Sequence, residues 1–214
     1  MKKPYIIFDF DGTIANTNDV ILASWQATYE HYLGYSLPVR EIEATFGETL
    51  RHTIGEKIPD APYEEVRDYY RAYQEAHCDG MVYVFDGVKE LFDELRDRGY
   101  RIGVATSRTA YSFSNYVKDL GIDHCFDVVV TMEDVKEHKP HPESVNLVLE
   151  KFGASPEEAI MLGDTKYDIG CANNAGVDSV LIGWSHYVDE ESMAADGFVP
   201  TYRIKRPEEL LDLI

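Results

Sequence analysis

The stretch Tyr5-Ile6-Ile7-Phe8-Asp9-Phe10-Asp11-Gly12-Thr13 constrains this chain more than any other. Four apolar or aromatic residues in a row read as a buried strand, and the Asp-Gly step behind them reads as a sharp turn. Such a strand presents Asp9 and Asp11 at its carboxyl edge, where open parallel α/β sheets bind their ligands. The two carboxylates lie two residues apart, so both can face one place while Phe10 packs away from it. One could attack or hold a metal while the other moves a proton. Taken alone, the segment reads about equally well as a strand followed by a solvated turn. Three further segments, each at the end of its own predicted strand, shift that balance.

A chain of 214 residues divides naturally into one domain plus an insertion. From about residue 16 to 81 the pattern is helical and no strand is predicted. Residues 17–33 carry caps at Thr17, Asn18 and Asp19, apolar residues Ile21, Trp25 and Tyr32 at helical spacing, and a stop at Gly34. Further helices start at Pro38, run through Leu50, Ile54 and Ile58, and open again at Pro62. Trp25 and the tyrosines from Tyr63 to Tyr73 read as the core of this unit. From Asp86-Gly87 onward, helix and strand alternate. Strands are predicted at 102–106, 126–131, 159–162 and 179–182, and helices from Val88, at 111–120, 143–152 and 168–175, several of them stopped by glycine. The tail predicts a short edge strand at 198–199 and a closing helix at 207–214. The fold class is therefore α/β: a Rossmann-like parallel sheet flanked by helices, from residues 1–15 and 82–214, with an all-helical cap domain at 16–81 inserted after the first strand.

Charge narrows the partners. Lys and Arg number 20 against 39 Asp and Glu, a net charge of −19. Such a surface repels nucleic acid and anionic membranes. It repels anionic substrates too, so a phosphate site needs its own local positive charge or a metal. Cys78, Cys125 and Cys171 are odd in number and form no CxxC, which suits reduced thiols in the cytoplasm. The apolar run behind Met1-Lys2-Lys3 is cut by Asp9 and Asp11, so it reads as a strand and not as a signal peptide. No run approaches the length that spans a membrane.

The second chemical segment is Thr106-Ser107-Arg108, where a hydroxyl and free backbone N–H groups at a strand-to-helix junction suit an anionic oxygen. Thr106 and Ser107 serve equally as ordinary helix N-caps. The third is Glu137-His138-Lys139-Pro140-His141, in which the proline keeps Lys139 extended and able to aim its ammonium inward at phosphate. His138 and His141 lack the companions of a transition-metal site and read as loop histidines. The fourth is Leu162-Gly163-Asp164-Thr165-Lys166-Tyr167-Asp168, which sets Asp164 at a strand end and Asp168 one helical turn later. Beside Asp9 and Asp11 these carboxylates make an oxygen-rich cage that calls for a hard divalent cation, and Mg²⁺ suits it.

These four segments, in order and at similar spacing, resemble the motifs of the haloacid dehalogenase-like hydrolase superfamily over nearly the whole chain. The helical insertion resembles the small cap of its phosphoglycolate-phosphatase-like members. Asn16 stands where many relatives have Asp. The resemblance implies that Asp9 is the nucleophile that forms an aspartyl-phosphate and that Asp11 is the general acid and base. It implies Mg²⁺ held by Asp9, the Asp11 carbonyl and Asp164, with Asp168 a ligand or a side chain that orients one. Thr106, Ser107 and Lys139 would grip the phosphoryl oxygens, and Arg51, with Arg108 a weaker candidate, would meet a second anionic group of the substrate. The activity implied is a Mg²⁺-dependent phosphatase acting on a small phosphorylated metabolite: phosphoglycolate, pyrophosphate, a sugar phosphate or a nucleotide. A sugar phosphomutase is the alternative, disfavoured because the first cap helix shows Ile21, Trp25 and Gln26 where mutases carry a histidine. A non-catalytic phospho-ligand binder is a third reading that no residue favours. Trp184, Ser185, His186 and Tyr187 follow the last main strand and are expected at the mouth of the site, or else in a surface turn.

Overall fold

Tyr5–Phe8 forms the first strand (β1), and its pleat divides the molecule in two. Ile6 and Phe8 point into one hydrophobic cluster while Ile7 points into another on the opposite face, all three buried. The computed structural model describes residues 3–77, 80–185 and 190–214. Beyond β1 the chain enters Ala15–Asn16 (β2) and then four helices, Asn18–Leu33 (α1), Val39–Glu43 (α2), Leu50–Lys57 (α3) and Tyr63–His77 (α4). Tyr83–Val84 (β3) returns antiparallel to β2. The remainder alternates: Val88–Asp97 (α5), Arg101–Ala105 (β4), Ala110–Asp119 (α6), Val128–Val130 (β5), Glu143–Phe152 (α7), Ala159–Gly163 (β6), Lys166–Ala175 (α8) and Asp178–Ile182 (β7). Glu190–Ala195 (α9), Tyr202–Ile204 (β8) and a 3-10 helix at Pro207–Asp212 close the chain.

Six strands form one sheet in the order β5-β4-β1-β6-β7-β8, all pairs parallel. From β1 the chain first fills one side of the sheet and then crosses to the other, so the strand order reverses beside β1. The crevice at such a reversal, outside the carboxyl ends, is where ligands bind. Phe92 and Leu95 of α5 and Phe113 and Val117 of α6 cover one face. Val145, Val148 and Leu149 of α7 with Cys171 and Ala172 of α8 cover the other. This is the flanked parallel sheet that the alternation predicts. Helices α1 to α4 gather around a core of their own built from Trp25, Tyr29, Ile42, Phe46, Ile54, Ile58, Val66 and Tyr70. Trp25 lies 5.2 Å from Tyr29 and 4.9 Å from Tyr70 by ring centroids, so it packs as core.

Three departures from the sequence reading stand out. The span from 16 to 81 is not wholly helical, because Asn16 pairs with Tyr83 in the β2–β3 ribbon. Two-residue strands carry no periodicity, and this ribbon arises because the passages into and out of the helices run side by side. The edge strand lies at Tyr202–Ile204 and not at 198–199, since Phe198 packs on Ile169, Leu181 and Met193 while the Val199 N–H donates to Asn173 Oδ1 at 3.0 Å. The closing helix is 3-10 in type and stops at Asp212, and the short α9 before β8 goes unpredicted. Among the described residues, no helix is long and apolar enough to cross a membrane.

Candidate active site

Asp9 is the first residue past β1, and its N–H donates to Leu162 O of β6 at 2.9 Å, which fixes the backbone against the neighbouring strand. Phe10 turns into the core and meets Phe113 edge-on at 5.2 Å. Asp9 and Asp11 are thereby left at the sheet's carboxyl edge, as the alternation requires. They do not share partners. Arg108 grips Asp11 with a fork, Nε at 2.8 Å from both carboxylate oxygens and Nη2 at 2.6 Å from Oδ1, and Thr17 Oγ1 donates to Oδ1 at 2.6 Å. Gly12 turns the chain at φ 76°, and a Cβ there would run into the Asp164 carboxylate.

Asp9 belongs instead to a buried cluster. Asp9, Asp164 and Asp168 each offer a carboxylate oxygen, and these oxygens all lie within 4.8 Å of one another. Lys139 Nζ donates to Asp9 Oδ1 and to Asp168 Oδ1, each at 2.6 Å. The other oxygen of Asp168 accepts from the Thr165 N–H at 3.1 Å and from Thr165 Oγ1 at 2.6 Å, the capping box that starts α8. Asp164, just past β6, receives only hydroxyls among the described residues: Ser185 Oγ at 2.7 Å and Thr13 Oγ1 at 3.5 Å.

The electrostatics follow from that crowding. Burial, then the Asp168 charge and, more weakly, Asp11 push the Asp9 carboxyl up to about 8 against the pull of Lys139. Burial, Asp168 and Asp9 push Asp164 well above the usual carboxylate range. Burial alone would lower Lys139, but Asp168 and Asp9 outweigh it and keep the ammonium charged. Arg108 is likewise lowered by burial and raised further by Asp11, so it is a fixed cation. One ammonium thus faces three carboxylates, and among the described residues Asp164 has no cation of its own. Buried, oxygen-only and short of positive charge, the cluster fits a small hard cation.

Thr106 is buried, and its Oγ1 accepts from the Arg108 N–H at 3.1 Å. The cap of α6 is Thr109, which accepts from Ser112 N, so neither Thr106 nor Ser107 is that helix's N-cap. Ser107 Oγ donates to Gly47 O at 3.1 Å, a bond to the loop between α2 and α3. Arg51 does not come to the site. It is exposed on α3, its guanidinium 3.8 Å from the Tyr63 ring centroid and outside the cavity wall, which corrects the expectation that it faces a second anion. Ser185 reaches Asp164 and so borders the site, whereas Trp184 donates from Nε1 to Thr13 O at 3.0 Å and packs against the core; His186 and Tyr187 lie outside the described residues. The sequence reading missed Thr17 on Asp11 and the bond from Tyr167 Oη to Glu48 Oε1 at 2.8 Å. No periodicity marks the first, and Glu48 and Tyr167, 119 positions apart, meet only when the helices pack over the sheet.

Over these groups lies a cavity of about 620 Å³, walled by Asp9, Asp11 and Arg108 below and by Trp25, Phe46 and Tyr70 above. A Rossmann-like sheet with a buried carboxylate cluster and an ammonium beneath a helical subdomain defines an α/β protein with a polar, charged site at its strand ends. Comparison with known proteins makes this particular. Residues 6–182 match the profile of the haloacid dehalogenase-like hydrolase family. Pyrophosphatase PpaX of Bacillus mycoides is 33% identical over 214 residues, covering 100% of this chain and 98% of the relative. PpaX of Bacillus pumilus is 33% identical over 209 residues, covering 98% and 95%. A haloacid dehalogenase-like family hydrolase from Streptococcus pneumoniae superposes with a TM-score of 0.83 at 24% identity, over 99% of this chain and 98% of that one. A protein provisionally described as a phosphoglycolate phosphatase from Lactobacillus plantarum gives 0.84 at 23% identity over 100% of both chains. These two structures share the fold. The chain belongs to the haloacid dehalogenase-like hydrolase family, and it is an enzyme that hydrolyses phosphate bonds of small substrates.

Proposed function

We propose that this phosphatase works by attack of an Asp9 oxygen on the phosphorus of a small phosphorylated metabolite. The P–O bond to the leaving group breaks, Asp11 gives that oxygen its proton, and an aspartyl-phosphate forms on Asp9. Asp11 then takes a proton from water, which attacks the phosphorus and frees Asp9 and inorganic phosphate. Lys139 and Thr106 hold phosphoryl oxygens, with Ser107 beside them, and Asp168 orients Lys139 through the bond between them. The arrangement suits phosphoryl transfer, which is mostly positioning and charge neutralisation. Asp9, Asp164 and the Asp11 carbonyl would hold Mg²⁺, which when bound supplies the charge neutralisation that one ammonium cannot.

The observation that carries this reading is the cluster of Asp9, Asp164 and Asp168 about Lys139, buried and short of positive charge. Residues 16–81 act as the cap that closes over it and reads the rest of the substrate. Inorganic pyrophosphate, named for the Bacillus relatives, stands beside phosphoglycolate, sugar phosphates and nucleoside monophosphates as a candidate. The mutase alternative finds no support, since Ile21 and Trp25 of α1 line the cavity and no histidine does among the described residues. Buried unpaired Cys125 and Cys171 suit the cytoplasm. The test is a phosphate-release screen over those metabolites with Mg²⁺. Release that needs the metal, stops with EDTA and vanishes in Asp9→Asn is the expected result; release by Asp9→Asn at the parent rate would refute the mechanism.

A further inference from the structure

The cations at and around the cavity are nearly all spoken for. Lys139 holds Asp9 and Asp168, Arg108 holds Asp11, and Arg51 lies outside over Tyr63. Arg71 is the exception. It stands on α4 in the cavity wall, half-buried, and among the described residues it has neither a hydrogen bond nor an ion pair. Glu75, one helical turn further on and also in the wall, does not engage it. A guanidinium fork left open in a concave site, in a chain of net charge −19 with acids at hand, is a poor way to stabilise the empty protein. It is a good way to capture a carboxylate or phosphate, whose oxygens match the fork in pairs.

The placement adds a second argument. Asp9 lies on the sheet side of the cavity and Arg71 on the α4 side, with Trp25 and Tyr70 in the wall between the helices. About 620 Å³ is ample for a molecule with a phosphoryl group at one end and another charged group at the other. The long-range field repels such a dianion, so each end needs a local cation.

We propose that Arg71 receives a second anionic group of the substrate, which makes the substrate class phosphorylated molecules whose non-phosphate half is itself anionic. This rests on the phosphatase reading for the place of the first phosphoryl group. The second group is a carboxylate or a phosphate, both of which the fork accepts.

Non-hydrolysable probes separate the inference from turnover. Calorimetry at fixed free Mg²⁺ compares alkylphosphonates, ω-phosphonocarboxylates and α,ω-bisphosphonates of matched chain length from one to six methylenes. At one length or more, the doubly charged probe should bind at least tenfold tighter than its alkyl match, equivalent to about 1.4 kcal/mol. Whichever doubly charged series wins names the second group. The preference should fall to within twofold in Arg71→Gln and return in part in Arg71→Lys, with the melting temperature unchanged because Arg71 has no hydrogen bond or ion pair among the described residues. No preference at any length overturns the assignment. So does a preference that survives Arg71→Gln and disappears only in Arg108→Gln. If the parent enzyme releases no phosphate from any substrate while the Arg71-dependent preference persists, the phosphatase mechanism fails and the anion subsite stands.

Discussion

Replacing Lys139 by methionine tests the electrostatic account without relying on activity. The ammonium lies 2.6 Å from an oxygen of Asp9 and of Asp168. At an effective dielectric constant near 20, each contact carries about 6 kcal/mol of attraction, much of it cancelled by the cost of desolvating the charges. Methionine fills nearly the same space, so the change is one of charge. It leaves three carboxylates whose nearest oxygens lie within 4.8 Å. Like charges at that separation repel by about 3.5 kcal/mol per pair on the same scale. The folded protein escapes part of this by binding a proton, and Asp9, already pushed up to about 8, is the place for it.

The sign follows from that raised value. A carboxyl whose folded value exceeds its ordinary one contributes stability that is present at low pH and lost as pH rises through the folded value. Removing Lys139 also removes the pull that lowers Asp9, so in the variant that carboxyl titrates above the parent's. Without metal, the stability of Lys139→Met should fall more steeply than the parent's between pH 6.5 and pH 8.5, by up to about 2.7 kcal/mol per proton over the two units, and the loss should be largest near pH 8.5. Stranding buried charge costs roughly 3–5 kcal/mol, and at about 2–4 °C per kcal/mol for a chain of this size the melting temperature should fall by about 6–20 °C. Scanning calorimetry in EDTA at both pH values reads this directly. Adding Asp9→Asn should recover most of the loss near pH 8.5, because the amide carries no charge, and Mg²⁺ should raise the melting temperature of Lys139→Met more than that of the parent. A fall below about 2 °C near pH 8.5, or no recovery from Asp9→Asn, would refute the reasoning.

Two further variants probe the upper wall of the site. Tyr167→Phe removes the 2.8 Å bond to Glu48 and leaves the ring; a hydrogen bond of this kind is worth about 0.5–1.5 kcal/mol, so kcat/KM should fall about two- to twelvefold, mostly through KM, and unchanged steady-state kinetics would contradict it. Arg51→Ala should leave kcat/KM within twofold on singly and doubly charged substrates alike, because its guanidinium is spent on the Tyr63 ring at a cost to stability of about 1 kcal/mol or less; a selective loss on doubly charged substrates would return Arg51 to the site.

What the sequence made legible was whatever local pattern and chain order determine. The 143–152 helix falls at Glu143–Phe152 because its apolar positions recur on one face and Gly153 accepts the left-handed backbone that ends it. Asp9, Lys139, Asp164 and Asp168 could be chosen because each stands at a strand end, in a restrained loop or in the first turn of the helix that follows, and parallel strands bring their ends together. Two of the arginines in the helical insertion show where this stops. Arg51 and Arg71 both lie on predicted helices, and helical periodicity says which residues share a face but not which face turns to the cavity. That depends on how α3 and α4 seat against each other. Arg51 found an aromatic ring, and Arg71 was left looking inward. The fork from Arg108 to Asp11 spans 97 positions, and no spacing rule reaches that far.

The bonds between the helices and the sheet bear on why the two halves of the site act together. Ser107, whose hydroxyl reaches Gly47 O, directly follows Thr106; Tyr167, whose hydroxyl reaches Glu48, directly precedes Asp168. Gly47 sits at φ 90°, and a Cβ there would press within 2.8 Å of Thr165 Oγ1 and of the Tyr167 ring. Thr165 is itself the residue that anchors the Asp168 carboxylate. The loop between α2 and α3 therefore docks on the same short backbone segments that aim Thr106 and Asp168. Helices lifting away from the sheet must break these bonds, and one of the segments they brace carries Asp168, which holds Lys139 at 2.6 Å. The contacts that seat the helices are thus made by the immediate neighbours of Thr106 and Asp168. A substrate that bridges Asp9 and the α4 wall would favour that seating.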